Sequence, residues 1–314
     1  MSRKLHKFQT VAEYQAYSAS TDYTTPCVAV VEENNVLYYD YGDNKPQADM
    51  SDFKVESEET SVGGDKYGKS AITKVNYIPS GVTSLNKSFE KFSSIVTAPE
   101  IPESVTNMSY TFNGCTSLVN APEIPSSVTN MSYTFEGCSS LVTAPEIPNS
   151  VTSMESTFYK CSSLVNAPNI PDSVTSMYAT FEGCTRLVTA PEIPSSVTSM
   201  SYTFRNCTSL VTAPEIPNSV RSMEYTFNGC SSLVTAPEIP SGVISLYYAF
   251  NGCSSLKEVT FLHTTPPTYR DTLSGCSSLK TIYVPDKSVN AYKTATGWLG
   301  FASKIKPLSE KPSE

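Results

Sequence analysis

Residues 138–151 read CSSLVTAPEIPNSV, and near-copies of this stretch return every 23 residues down most of the chain. Its cysteine recurs as Cys115, Cys138, Cys161, Cys184, Cys207, Cys230, Cys253 and Cys276. In the copy from Val105 to Val128 the apolar residues are Val105, Met108, Phe112, Cys115, Leu118, Ala121, Ile124 and Val128, spaced by 3, 4, 3, 3, 3, 3 and 4. Met108, Phe112 and Cys115 fall at i, i+4 and i+7, which predicts one face of a short helical turn. After Cys115 the apolar residues come every third position, a period that fits neither an α-helix nor an alternating strand. Pro122 and Pro125 lack N–H donors and fix φ, so that segment is expected to be extended, with at most a short strand. Gly114 reads as the corner between the two.

One such unit cannot bury its inward row alone, and stacking the units makes a continuous core. The fold expected is a repeat solenoid of 23-residue leucine-rich-repeat-like coils, each a short strand or extended segment plus a helical turn, with a small α+β N-terminal domain. With strand-like spacing, successive coils would lie ~4.8 Å apart and the cysteines would form an interior ladder. Such a thiol acts as a small buried hydrophobe with a weak S–H donor. Bridging between rungs is the alternative, although Cβ vectors in a parallel stack point the same way rather than at each other. Zinc sites show closely spaced ligand pairs. None occurs here, and the only histidines are His6 and His263.

Composition divides the chain into four parts. Residues 1–45 read as a small α+β attachment domain. TVAEYQAYSAS is a helix candidate, with Thr10 as N-cap and Glu13 as its capping-box partner. CVAVVEENNVLYYDY reads as two strands about a turn at EENN. Residues 46–70 have the polar, acidic composition of a linker. The solenoid is placed at 71–284 and a C-terminal helical cap at 285–314. No stretch of about 18 apolar residues is present, so no membrane span is expected. No apolar segment follows the basic residues at the N-terminus, so no secretory signal is visible either.

The net charge is −8, and residues 80–262 carry 7 Lys/Arg against 14 Asp/Glu. That surface would repel a polyanion, which excludes nucleic acid as a partner of the repeats. No catalytic constellation, cofactor motif or metal set stands out. Gly63 to Ser70 matches the phosphate-loop string, but it lies in the linker composition without a strand before it or a helix after it. The chain therefore reads as non-enzymatic, with no cofactor.

Function is sought where the copies vary while the inward row stays fixed. Tyr110, Tyr133, Tyr202, Tyr225 and Tyr248 share one repeat position, interrupted by Ser156 and Ala179. Tyr178 and Tyr247 stand in the position before it, and Tyr159 and Arg205 just after the phenylalanine. A surface of Tyr with Asn, Glu and Arg suits carbohydrate or protein, since Tyr joins an apolar plate to a polar tip. The other reading is that these rings pack flat on neighbouring coils and only cover core. A second column, Glu100, Glu123, Glu146, Glu192, Glu215 and Glu238, broken by Asn169, reads as a solvated rim; calcium bridging is its alternative.

The stretch NGCTSLVNAPEIPSSVTNMSYTFEGCSSL resembles the BspA-like class of bacterial leucine-rich repeats, with their AF-x-x-C-x-x-L core and IP-x-x-V corner. The resemblance covers roughly residues 72–284 and extends to the C-terminal segment, where Val289, Tyr292, Trp298, Phe301 and Ile305 would seal the core. It implies a right-handed solenoid used for recognition or adhesion, and no catalysis. The N-terminal KFQTVAEYQAYSASTDYTTPCVAVVEENNVLYYDY resembles short N-terminal modules of virion-associated proteins of phages of gut bacteria. Together these lead to the expectation of a virion component, a fibre or decoration, localised to the particle. It would hold a virion protein through its N-terminal domain and meet a host-surface glycan or protein through the solenoid. A bacterial surface or secreted adhesin, and a structural virion protein without external ligand, are the alternatives; homo-oligomerisation is left open.

Overall fold

The computed structural model describes Ile78 and residues 82–312, and before them the backbone of four short strands. These are β1 (Leu5–Phe8), β2 (Cys27–Val31), β3 (Val36–Asp40) and β4 (Lys74–Val75). They form a sheet in the order β1-β2-β3-β4, parallel, antiparallel, then parallel. β2 and β3 fall in the two apolar runs flanking EENN and pair from Cys27 opposite Asp40 to Val31 opposite Val36. Lys74–Val75, within the stretch read as the first repeat, pairs instead with Val36–Leu37. The helix expected at residues 10–20 and the linker at 46–70 lie outside the described residues.

From residue 82 onward the chain is a stack of coils. Two columns of parallel bridges join coil to coil at a 23-residue offset. One runs Ser84–Asn107–Asn130–Ser153 and resumes at Ser176–Ser199–Ser222–Ser245. The other runs Thr97–Asn120–Thr143–Asn166–Thr189–Thr212–Thr235. The second column widens into a parallel sheet near the C-terminus: β5 (Thr235–Ile239), β6 (Glu258–Phe261), β7 (Thr281–Val284) and β8 (Ile305–Pro307). The Pro-rich copies upstream have too few N–H donors to extend the pairing beyond single bridges.

The inward row is buried as its spacing requires. Val105, Met108, Phe112, Cys115, Leu118 and Val128 are fully buried, and so are their counterparts in the following coils. Ala121 and Ile124 are only partly buried against this core. The phenylalanines from Phe89 to Phe250 stack ring on ring, with centroids 5.3–5.8 Å apart. Such offset ring pairs add stabilisation beyond their buried area.

The helical turn expected between Val105 and Cys115 is not a helix. Tyr110 has φ +56° and Gly114 φ +73°, both left-handed, and the same two positions are left-handed in coil after coil. The N–H groups of Met108, Tyr110, Phe112 and Gly114 donate forward to Asn130, Ser132, Thr134 and Glu136 of the next coil at 2.7–3.0 Å. Between them, the N–H groups of Thr111, Asn113 and Cys115 donate back to Met108, Tyr110 and Phe112. An α-helix would send every donor back within its own segment and leave none to hold the coils together. A left-handed residue every fourth position turns alternate donors along the stack. Spacing of i, i+4, i+7 records which side chains face inward and cannot tell this chain of turns from a helix.

The C-terminal cap combines short helical turns with a strand. Its one α-helix, α1 (Val289–Thr294), is six residues long and is flanked by short 3-10 turns, and β8 continues the sheet. Tyr292, Trp298 and Ile305 are buried, with Val289 and Phe301 packed against them. Trp298 meets Phe261, Tyr269 and Tyr292 edge-on at 4.9–5.6 Å, and its indole N–H donates to the Pro267 carbonyl.

Candidate functional site: the tyrosine face

The inward cysteines are architecture. All eight are buried and reduced. Each Sγ from Cys115 to Cys276 donates to a phenylalanine carbonyl 26 residues earlier, from Phe89 to Phe250, at 3.0–3.1 Å. The Phe112 carbonyl thus accepts both the Cys115 N–H and the Cys138 thiol. Burial pushes the seven thiols from Cys138 to Cys276 up, well above the ordinary range for Cys138, Cys161 and Cys207, and to about 11 for Cys276 at the end of the column. A thiol held protonated in this way is a poor nucleophile.

Two further columns carry the same logic and were not singled out from the sequence. The buried hydroxyls of Thr111, Thr134, Thr157, Thr180, Thr203 and Thr226 donate to carbonyls 26 residues back at 2.8–3.1 Å. Ser104, Ser127, Ser150, Ser173, Ser196 and Ser219 do so 22 residues back at 2.5–2.7 Å. Their recurrence in six successive copies, before Ala249 and Gly242 break the columns, was the available signal. These bonds satisfy carbonyls that the coil-to-coil bridges leave over.

The tyrosines occupy the first left-handed position. Nine residues share it, Lys87, Tyr110, Tyr133, Ser156, Ala179, Tyr202, Tyr225, Tyr248 and Asp271, with φ between 50° and 62°. Among the described residues glycine never fills it, although a non-glycine residue there costs roughly 1–2 kcal/mol. Tyr110 and Tyr133 stack with centroids 4.5 Å apart and planes 4° from parallel. Tyr202, Tyr225 and Tyr248 form a second stack at 4.8 Å. Tyr178 joins it at Tyr202, tilted by 52°. Small, buried Ser156 and Ala179 separate the two stacks.

The flat packing is therefore present: inside each stack the ring faces cover one another, and the stacked tyrosines as residues remain half-exposed. Cations close several of the remaining faces: Lys87 over Tyr110 at 5.1 Å, Lys160 over Tyr159 at 4.8 Å and Arg270 over Tyr247 at 4.9 Å. Arg205 lies 5.7 and 5.6 Å from Tyr202 and Tyr225 and pairs with the Glu182 carboxylate at 3.0 Å. Burial pushes the Glu182 carboxyl up, and Arg205 draws it back. The Tyr133 hydroxyl donates to Glu155; burial and that carboxylate both raise its pKa.

The glutamate column is exposed throughout, and Glu238 pairs with Lys311 at 2.8 Å. Among the described residues no group of His, Cys, Asp and Glu is placed to hold a metal ion, and no helix is long and apolar enough to cross a membrane. Beside the bridge column lies a feature not noted in the sequence, a row of exposed valines at Val96, Val119, Val142, Val188 and Val211.

Turn-and-bridge coils with a reduced thiol row inside and a varied polar–aromatic column beside it define a solenoid repeat protein. The BspA type leucine rich repeat region, in six copies, matches residues 83–211 and 178–295, more than half of the chain. The chain belongs to this family. BspA-type proteins are surface and adhesion-type repeat proteins, and no catalytic family is indicated. Leucine-rich repeats generally mediate protein interactions. No curated protein matches the chain in sequence. Among solved structures it is similar to a leucine-rich repeat protein of Bacteroides ovatus, at 21% identity over 77% of this chain and 85% of that one, with a TM-score of 0.38. It is also similar to a leucine rich cell surface protein of Faecalibacterium prausnitzii, at 17% identity over 91% and 94%, TM-score 0.42. A leucine-rich repeat protein of Eubacterium ventriosum is 18% identical over 91% and 82%, TM-score 0.45.

Proposed function

We propose that this is a non-enzymatic recognition protein whose tyrosine face meets a glycan or protein on a cell surface. The observation that carries the reading is the contrast between columns. Residues that hold the stack together repeat almost unchanged, whereas Tyr, Arg, Glu and Asn alternate at the mostly half-exposed positions beside the left-handed turn. Stacked tyrosines present rigid edges and hydroxyls at low entropic cost, which favours contact with partners of mixed polarity. The test is binding of the labelled full chain to gut-bacterial cells with and without their capsule. The Tyr202→Ser, Tyr225→Ser, Tyr248→Ser triple variant is expected to lose saturable binding while its melting temperature falls by only a few degrees. Wild-type binding by that variant would overturn the reading.

The narrower form places the chain on a phage particle, as a fibre or decoration held by residues 1–45. Its support is the N-terminal resemblance, together with a sheet whose outer strands β1 and β4 each pair on one side. Such edges can accept a partner strand. Co-sedimentation of the full chain with purified particles, lost on deleting residues 1–45, is the expected result. A chain found instead on the bacterial surface would favour the adhesin alternative.

A further inference from the structure

The tyrosine face is not uniform along its length. In the last coil, the two positions occupied by Tyr247 and Tyr248 become Arg270 and Asp271. The core position before them, Leu246 one coil earlier, becomes Tyr269. An open depression of about 420 Å³ forms at this change, lined by Tyr225, Tyr247, Tyr248, Tyr269, Arg270 and Asp271.

Four features set it apart from the rest of the face. Tyr248 stacks on Tyr225, and on its other side the column continues with Asp271 rather than another ring, so the aromatic stack ends here. Arg270 lies 4.9 Å over the Tyr247 ring, and no carboxylate among the described residues stands within ion-pair distance of its guanidinium. Asp271 is exposed and accepts a hydrogen bond from the Ser274 hydroxyl at 2.8 Å; its charge also pushes the Tyr248 phenol up. Tyr269 is anchored from behind, its ring 5.6 Å from Trp298 and 5.7 Å from Phe301, so the wall is fixed to the cap.

The geometry points to this depression as a binding site for an uncharged saccharide; the inference rests on the recognition reading above and names its ligand class and its location. A pyranose ring presents a flat face of C–H groups, whose partial positive charge suits the negative face of an aromatic ring. Its adjacent hydroxyls are both donors and acceptors. They match a guanidinium that only donates beside a carboxylate that only accepts. Arg270 and Asp271 leave the site itself without net charge, and an acidic sugar would approach a chain of net charge −8. Like charge disfavours it there. The size is that of a small-ligand cleft, and aromatic walls with few convergent polar groups are the usual lining.

The experiment titrates the full chain with neutral gluco-, manno- and galacto-oligosaccharides and with uronate-containing ones, by calorimetry and saturation-transfer NMR. At least one neutral series is expected to bind saturably. Arg270→Ala and Tyr247→Ser should each weaken it tenfold or more, with unchanged melting temperature, and Arg270→Lys should not restore it. Glu123→Gln, in the exposed glutamate column, should bind as wild type. Neutral binding indifferent to Arg270→Ala, or binding of uronates alone, overturns the assignment. Cell binding lost in Tyr110→Ser but kept in Arg270→Ala would overturn it too, while leaving the recognition reading standing. Absence of both saccharide and cell binding would remove both.

Discussion

The inward columns and the left-handed tyrosine column follow the same 23-residue repeat, yet they answer to opposite demands. Phe, Cys, Thr and Ser recur in nearly every coil because each completes a contact with a neighbouring coil: Phe stacks on Phe, and Cys, Thr and Ser donate to carbonyls of the coil before. A single change leaves a cavity or an unmet carbonyl in a row where every neighbour is identical. The tyrosine column tolerates Lys, Ser, Ala and Asp at the same φ. What is required there is a left-handed backbone, and the side chain is free to vary. A solenoid can thus separate its stability from its surface, coil by coil.

Alkali should strike the inward columns hardest. Folding raises the pKa of seven thiols, Cys138 to Cys276, through burial. Their contribution to stability is fully present below the unfolded value of about 8.5 and falls as pH rises above it, since only the unfolded chain then releases the protons. Each thiol contributes a slope of about 1.4 kcal/mol per pH unit in that window, so several act together to give a steep loss between pH 8.5 and 10. Chemical denaturation across this range measures it. Replacing Cys161, Cys184 and Cys207 with Ala should flatten the slope, and an unchanged slope would break the comparison.

Phe158→Ala, in mid-stack, is expected to cost about 3–5 kcal/mol, because the rings on either side cannot close the gap. Urea unfolding gives the figure. A loss near 1 kcal/mol would mean the phenylalanine row collapses around the hole.

The smallest effect sharpens the contrast. Gly137 has φ +72°, and a Cβ there would meet only the Gly114 backbone at 3.7 and 3.8 Å, ordinary contact. Gly137→Ala should therefore cost about 1–2 kcal/mol, from the left-handed backbone alone. Lys91, Lys160 and Asn206 already occupy the equivalent position with φ of 58–64°. Gly137→Asn, better suited to that region, should recover much of the loss in the same unfolding measurement.

The repeat, its inward row and the aromatic face were legible in the sequence, because periodicity reports which side chains share an environment. The Pro-bounded corners were legible as well, since Pro restricts the backbone directly. Other features were not. Nothing about Tyr110 signals a left-handed φ, because the preference comes from the stack and from the donors it aligns, not from tyrosine itself. The same blindness hid the thiol-to-carbonyl bonds, which join Cys138 to Phe112 across 26 residues. The depression at Arg270 and Asp271 was likewise missed as a site, although the substitutions that make it were in plain view.

What the sequence determined by itself is that the chain is a stack of 23-residue coils, which residues face inward, and that its thiols serve the core. Each is fixed by a spacing or a side-chain property that survives without coordinates. Only the tertiary structure decided that the apparent helical turn is a run of left- and right-handed turns. Its donors must reach the neighbouring coil, and no single repeat contains its own hydrogen-bond partners.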